Sequence, residues 1–256
     1  MEIFLENGPS YAEKDLSLIT HEHEMFSDKF YEEIFLQTGL GRSAVDKLYA
    51  DNNTNQFDIY QRHLFRTNRI IKSRKISPIT YEEYMVNAQD KQIKHPELVD
   101  IQEGDILISL NTHSLGWRHG HAGIVTDAEK KLTLEAISLG QNTAFQPISK
   151  WLNYPSVIQL RLKDNHPIHK VVAYAKSKLY DIPYGLLSGL FDKLKTSLTT
   201  QCAHLVWSAY KHLNIDLNSD GGWLVTPIDI LKSTHLEIVQ ILGISPTLFT
   251  HPVILS

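Results

Sequence analysis

Cysteine occurs once in these 256 residues. A single thiol closes no internal disulfide and excludes a four-cysteine zinc site, so stability must come from packing. Long apolar runs are missing too: no stretch approaches the ~20 residues of a membrane span. The opening MEIFLENGPSYAEKD has neither a basic start nor an apolar core and does not read as a signal peptide. The default expectation is a cytoplasmic protein, or a secreted one if a signal has been removed. There is no internal repeat and no low-complexity tract. An excess of positive charge is lacking as well. With 25 Lys and Arg against 29 Asp and Glu, the formal net charge of −4 offers no global attraction to nucleic acid or anionic lipid. The remaining 42% hydrophobic and 21% charged residues are ordinary globular material, enough for one full core with an appendage.

The apolar spacing changes along the chain. Residues 10 to 90 read as helical. FYEEIFLQTGL and RSAVDKLYA repeat apolar residues every three or four positions and are punctuated by Gly39 and Gly41. FDIYQRHLFRTNRIIKSRK continues as a helix, and ISPITYEEYMVNAQD as a short one with Thr80 as its cap. Near KHPELVDIQEGD a proline and a glycine bracket a switch to alternation, which sets a boundary at about residue 98. DILISL, HAGIVTD, KLTLEAIS and VIQLRLK then read as four short strands. Helices resume with HKVVAYAKSKL, the cysteine segment and TPIDILKS, capped by Thr226 with Pro227 at its first position, and HLEIVQILG adds a last strand. Strands and helices in separate runs indicate an α+β domain over residues 99–256, behind a helical region at 1–98 expected to form a separable layer.

TTQCAHLVWSAYKHL places Cys202 at a helix start, with Leu205, Val206, Ala209 and Leu213 on one apolar stripe. There the helix dipole and unpaired N–H groups favour thiolate over thiol, which makes a nucleophile. A small buried residue filling the same stripe is the alternative. A base is offered by GWRHGHAGIVTD. His121 opens the strand and is held by the sheet, whereas His119 sits in the preceding loop, so His121 is the better candidate. Glu135, in the next strand, shares a face with His121 if the intervening loop has an odd number of residues, and would then orient the imidazole as the third member of a triad. An even loop puts the two on opposite faces. Tyr184, in the proline-constrained DIPYGLL, is either a hydroxyl donor to an oxyanion or a packing residue.

HAGIV, LEAISLG, DIPYG, QCAHLVWSAY and WLVTPIDIL, in that order, resemble the circularly permuted branch of the NlpC-type papain-like hydrolases, the YiiX-like group related to lecithin:retinol acyltransferase. The similarity spans roughly residues 100 to 240, with the histidine strand ahead of the cysteine helix as in the permuted branch. It implies a permuted papain-like fold and a cysteine peptidase or amidase with Cys202 as nucleophile, His121 as base, Glu135 as orienting residue and Tyr184 beside the cysteine. The implied substrate is a peptide or acyl-amide, with bacterial cell-wall peptides first, and neither a metal nor an organic cofactor is needed. Many NlpC-type sequences carry an acidic residue before the cysteine and a serine after it. Here Gln201 and Ala203 stand there, read as substrate or subfamily variation, and His204 takes the place of a smaller or polar residue. The same residues also fit a thiol acyltransferase or lipid-ester hydrolase, and a third reading is a binding module that keeps the cleft without turnover.

Three further features carry less. THEHEMF lacks the His-Glu-x-x-His spacing of a helical zinc site and is not taken as one. Arg62, Arg66, Arg69, Lys72, Arg74 and Lys75 form a basic stretch, read as a solvated helix face. Trp117, Trp151, Trp207 and Trp223 are candidates to line a cleft, Trp207 fitting the core edge better.

Overall fold

The computed structural model describes residues 8–22, 24–66, 68–163, 166–186, 188 and 199–250; His23 of the His-Glu-His-Glu run lies outside them. The chain opens with α1 (Leu16–Glu22), α2 (Asp28–Thr38), α3 (Arg42–Ala50) and α4 (Gln56–Arg66). Ser27 caps α2 by accepting from the Phe30 N–H, and Gly39 ends it in the left-handed conformation at φ 76°. The α2–α3 connection then runs along the outer edge of the last strand of the chain: Gly41 N–H donates to Val239 O and Ile241 N–H to Gly39 O, both at 2.8 Å. At Gly41 a Cβ would lie 2.0 Å from the Ile238 carbonyl oxygen, so only glycine permits this approach.

The helical reading of residues 10 to 90 holds only as far as Arg66. Beyond it, β1 (Ile70–Lys75) and β2 (Thr80–Val86) form an antiparallel hairpin. Thr80 is not a helix cap; its hydroxyl pairs across strands with Ser114 Oγ at 2.9 Å. The short helix is overruled because β2 buries Glu82 and Glu83, whose charges are met by Arg74 and Arg118. The basic stretch therefore divides, with Lys72, Arg74 and Lys75 on a strand and Arg69 buried rather than solvated.

There follow β3 (Ile106–Ser109), β4 (Thr112–Ser114), β5 (Trp117–Arg118), β6 (His121–Asp127), β7 (Leu132–Glu135), β8 (Ala144–Pro147), a 3-10 helix over Ile148–Asn153, and β9 (Val157–Leu162); β3, β6, β7 and β9 are the four expected strands, and β4, β5 and β8 are additional. After α5 (Ile168–Lys178) and α6 (Cys202–Lys211) come α7 (Pro227–Leu231), β10 (Leu236–Leu242) and α8 (Thr247–Thr250). Thr226 and Asp229 close a reciprocal capping box on α7. One sheet runs β1-β2-β4-β5 and the other β10-β9-β3-β6-β7-β8, with antiparallel pairing between neighbouring strands. The protein is thus α+β.

Side chains of the six-stranded sheet alternate between two cores. Ile106, Ile108, Ala122, Ile124 and Leu134 pack with α5 and α6, whereas Leu107, Val125 and Val157 pack with α1 to α4 and with Trp151 and Tyr154. The amino-terminal helices cover an apolar sheet face instead of meeting the rest of the chain at a polar seam. Residue 98 itself belongs to this shared core.

Candidate functional site

His121 is the first residue of β6, and Glu135 the last of β7. Gly123 pairs with Glu135, so His121, two residues away on the same side, lies diagonal to it. The loop between the paired residues Asp127 and Leu132 is even in length, spanning 128–131, which alone would have set the two residues on opposite faces. A register shift between Val125 and Asp127 supplies the missing residue and restores the parity. The His121 Nε2–H donates to Glu135 Oε2 at 2.8 Å, leaving Nδ1 as the basic nitrogen.

Glu135 is wholly buried, and every neighbour on it is a donor. Trp151 Nε1–H and the Thr133 hydroxyl donate to Oε1 at 2.7 and 2.6 Å, and Lys150 Nζ reaches Oε2 at 3.2 Å. Burial opposes ionisation, but the Lys150 charge, the hydrogen bond and charge of His121 and the Thr133 hydroxyl together hold the carboxyl well below the usual carboxylate range. Trp151 also stacks on the imidazole, with centroids 5.1 Å apart and planes 18° apart. Room for this arrangement comes from Gly123, where a Cβ would lie 2.9 Å from Trp151 Cζ2 and 3.0 Å from Glu135 Cγ. The glycine in the middle of HAGIV therefore signalled a close approach.

Cys202, 4% exposed, occupies the first position of α6, which packs on β6. Burial disfavours the charged imidazole of His121, but hydrogen bonds from its ring to Cys202 and Glu135 and the charges of both partners outweigh it and raise His121 to about 9. His121 therefore links the thiol to the carboxylate. As the first residue of its strand it stacks on Trp151 in one core while lying near enough to Cys202 of the other for the thiol to raise its pKa. His119 is less suited to this role, since its ring nitrogens already meet Ser114 Oγ at 2.9 Å and Gly120 O at 2.7 Å.

Gln201, read from sequence as a mere variation, is the cap that shapes the helix start. Its Oε1 accepts from Ala203 N–H at 2.8 Å and lies 3.5 Å from Cys202 Sγ, while Nε2 donates to Val225 O at 2.7 Å and ties α6 to the segment before α7. His204 is buried, with Nδ1 3.0 Å from the Thr200 hydroxyl. Tyr184 runs beside Thr200 in a parallel bridge and lines a cleft with Cys202, Gln201, His119, Trp117 and Pro227. Burial and then the nearby Cys202 charge push the Tyr184 phenol well above its ordinary value, so it stays protonated and able to donate. The tryptophans part company: Trp117 lines the cleft, Trp151 is fully buried behind His121, Trp207 donates to Asp216 Oδ1 at 2.8 Å, and Trp223 is exposed.

The structure thus brings Cys202, His121, Glu135 and Tyr184 to one place. Gly123, Thr133, Lys150, Trp151 and Gln201 complete it and were not read from sequence as parts of a site; among them only the strand glycine and the cleft-tryptophan expectation gave a signal. Among the described residues no group of three or more His, Cys, Asp and Glu side chains is placed to hold a metal ion, and no helix is long and apolar enough to cross a membrane. Compared with known proteins, the chain matches no family model, no curated sequence and no solved structure.

Proposed function

We propose that this chain is a cysteine hydrolase that cleaves an amide bond in a peptide-like substrate, on a permuted papain-like fold. The observation that carries the reading is the buried His121–Glu135 hydrogen bond through Nε2, with Cys202 near enough to His121 to raise its pKa. The chain order, histidine strand β6 before cysteine helix α6, supports the permuted arrangement.

In this mechanism the Cys202 thiolate attacks the substrate carbonyl carbon, and the carbonyl electron pair moves onto oxygen. Ala203 N–H is engaged by Gln201, so the Cys202 N–H and the Tyr184 hydroxyl stabilise the oxyanion. The His121 imidazolium donates its proton to the leaving amine as the C–N bond breaks, leaving a thioester on Cys202. His121, now neutral, takes a proton from water, hydroxide attacks the thioester, and acid and thiolate are released. Glu135 stays ionised throughout and holds the Nε2–H tautomer.

Apolar cleft walls at Trp117, Leu186 and Leu224 favour one second reading, acyl transfer or lipid-ester hydrolysis through the same thioester. Incubation with cell-wall peptides, simple peptides and lipid esters, followed by intact-mass spectrometry, tests both. A covalent acyl adduct that is lost in Cys202→Ala is expected, and the substrate class that forms it decides between the readings. Absence of an adduct and of product with all three, from a folded protein, would leave a binding module instead.

A further inference from the structure

The cleft that holds Cys202 is walled almost without charge. Among the described residues no Asp, Glu, Lys or Arg lines it. Trp117 stands in it 52% exposed, its indole set beside the His119 ring with centroids 5.4 Å apart. Leu186, Leu224, Val225 and Pro227 complete the apolar part of the lining. A large aromatic face left open to solvent next to a nucleophile is surface that a substrate can cover.

Charged residues adjoining these in sequence are committed elsewhere. Arg118 follows Trp117 on β5, but its Nη1 donates to Glu83 Oε2 at 2.7 Å and to Leu110 O at 3.1 Å. Asp229 is taken up by the capping box on α7, where the Thr226 hydroxyl donates to its Oδ2 at 2.6 Å. The polar side chains of the lining are engaged as well. Both ring nitrogens of His119 are bonded, and burial above all holds the ring below its ordinary value, so it stays neutral. Gln201 bridges Ala203 N–H and Val225 O, and the Tyr184 hydroxyl is assigned to the oxyanion. None of these groups offers a counter-charge to a substrate side chain.

We propose that the substrate presents an apolar, uncharged group to this cleft beside the scissile bond, with Trp117 and Leu224 as the residues that select it. The inference rests on the cysteine-hydrolase reading and narrows it to a substrate class. A group of leucine or phenylalanine size gains by covering the open face of Trp117. A carboxylate or ammonium would leave water for walls that return neither a charge nor spare hydrogen bonds, so a substrate carrying one at this point is a poor one.

The test alkylates Cys202 in the full chain with iodoacetamide and with its N-benzyl, N-carboxymethyl and N-(2-aminoethyl) derivatives, each rate being divided by that of the same reagent with 2-mercaptoethanol. Cys202 is the only cysteine, so intact mass reads its modification directly. The benzyl reagent should react about 10- to 100-fold faster than either charged one. Trp117→Ala should cut that advantage several-fold. Leu224→Lys should turn the ranking of the two charged reagents toward the carboxymethyl one, and it decides alone if Trp117→Ala fails to fold. A charged reagent that keeps pace with the benzyl one, or a ranking that neither substitution alters, overturns the proposal; if plain iodoacetamide still outruns the model thiol, the cysteine-hydrolase reading survives that result. A Cys202 that reacts no faster than the model thiol with any of the four removes the reading and this inference together.

Discussion

Glu135→Gln perturbs the candidate site with almost no change in shape. Gln keeps an oxygen for Trp151 and Thr133, the donors to Oε1, but sets an NH2 group against His121 and Lys150, the donors to Oε2. A donor now faces a donor, so His121 must lose its Nε2 proton and turn that nitrogen into the acceptor. The remaining proton then sits on Nδ1, the wrong tautomer for accepting one from the thiol. Elsewhere this kind of change costs about 10⁴ in kcat, and a loss of 10²- to 10⁴-fold is expected here. The same substitution has a stability signature. A rise in His121 from 6.5 to about 9 corresponds to about 3 kcal/mol at ~1.4 kcal/mol per unit. Because the folded value is the higher one, this stabilisation is fully present below about pH 6.5 and fades as pH rises through about 9. Wild-type unfolding free energy should therefore decline across that window, and the Gln variant should show a smaller decline, since only the share due to Glu135 is lost and that of Cys202 remains. Side-chain NMR of His121, denaturant unfolding from pH 6 to 9.5 and kcat/KM on whichever substrate forms the adduct read the three effects together. A His121 that still titrates near 9 in Glu135→Gln, with unimpaired turnover, would refute the triad.

Tyr184→Phe keeps the ring and removes the donor, so kcat should fall roughly ten- to a thousandfold with Tm nearly unchanged; an unchanged kcat on a substrate limited by acylation reduces Tyr184 to packing. Gly123→Ala drives a methyl against Trp151 and Glu135, and urea unfolding should show a loss of about 1–3 kcal/mol, with activity falling further than stability because both neighbours hold His121. Deleting residues 1–98 should give an aggregating or unfolded fragment, since Leu107, Val125, Trp151 and Val157 lose their cover. A soluble fragment with a cooperative unfolding transition would show that this sheet face stands without its helices.

The contrast between what sequence patterning conveyed and what it hid follows where charge is buried. DILISL, HAGIVTD and VIQLRLK are strands of the large sheet because their apolar residues announce burial directly, and the Cys202 helix follows its stripe. The β1–β2 hairpin does not. β1 is almost wholly exposed and offers no apolar alternation, while the buried Glu82 and Glu83 look like solvent-facing residues until Arg74 and Arg118 are seen to meet them. Hydrophobic period cannot register a strand that buries carboxylates against partners distant in sequence. The separable amino-terminal layer was misleading for a related reason. Its helices are amphipathic, but their apolar stripes did not reveal that the surface they cover is the face of the large sheet opposite the Cys202 helix.

Within the site, residue type was legible and support was not. Cys202, His121, Glu135 and Tyr184 stand out because a thiol at a helix start, an imidazole at a strand start and a carboxylate in the neighbouring strand each have a chemical use. Loop length alone gave the wrong parity, and the bulge between Val125 and Asp127 corrects it. Such a bulge is nearly silent in sequence, yet without it Glu135 would turn to the α6 side and leave His121 facing Trp151 alone. Trp151 and Lys150 come from the 3-10 helix after β8, a segment with no strong periodic signal. Their contribution depends on one fact of geometry: a buried carboxylate that accepts from four side chains has nowhere to turn, so the imidazole bonded to it is fixed as well. The orientation of His121 toward Cys202 is thus determined mostly by residues that never meet the thiol, and Gly123, by lacking a side chain, is what lets them close in.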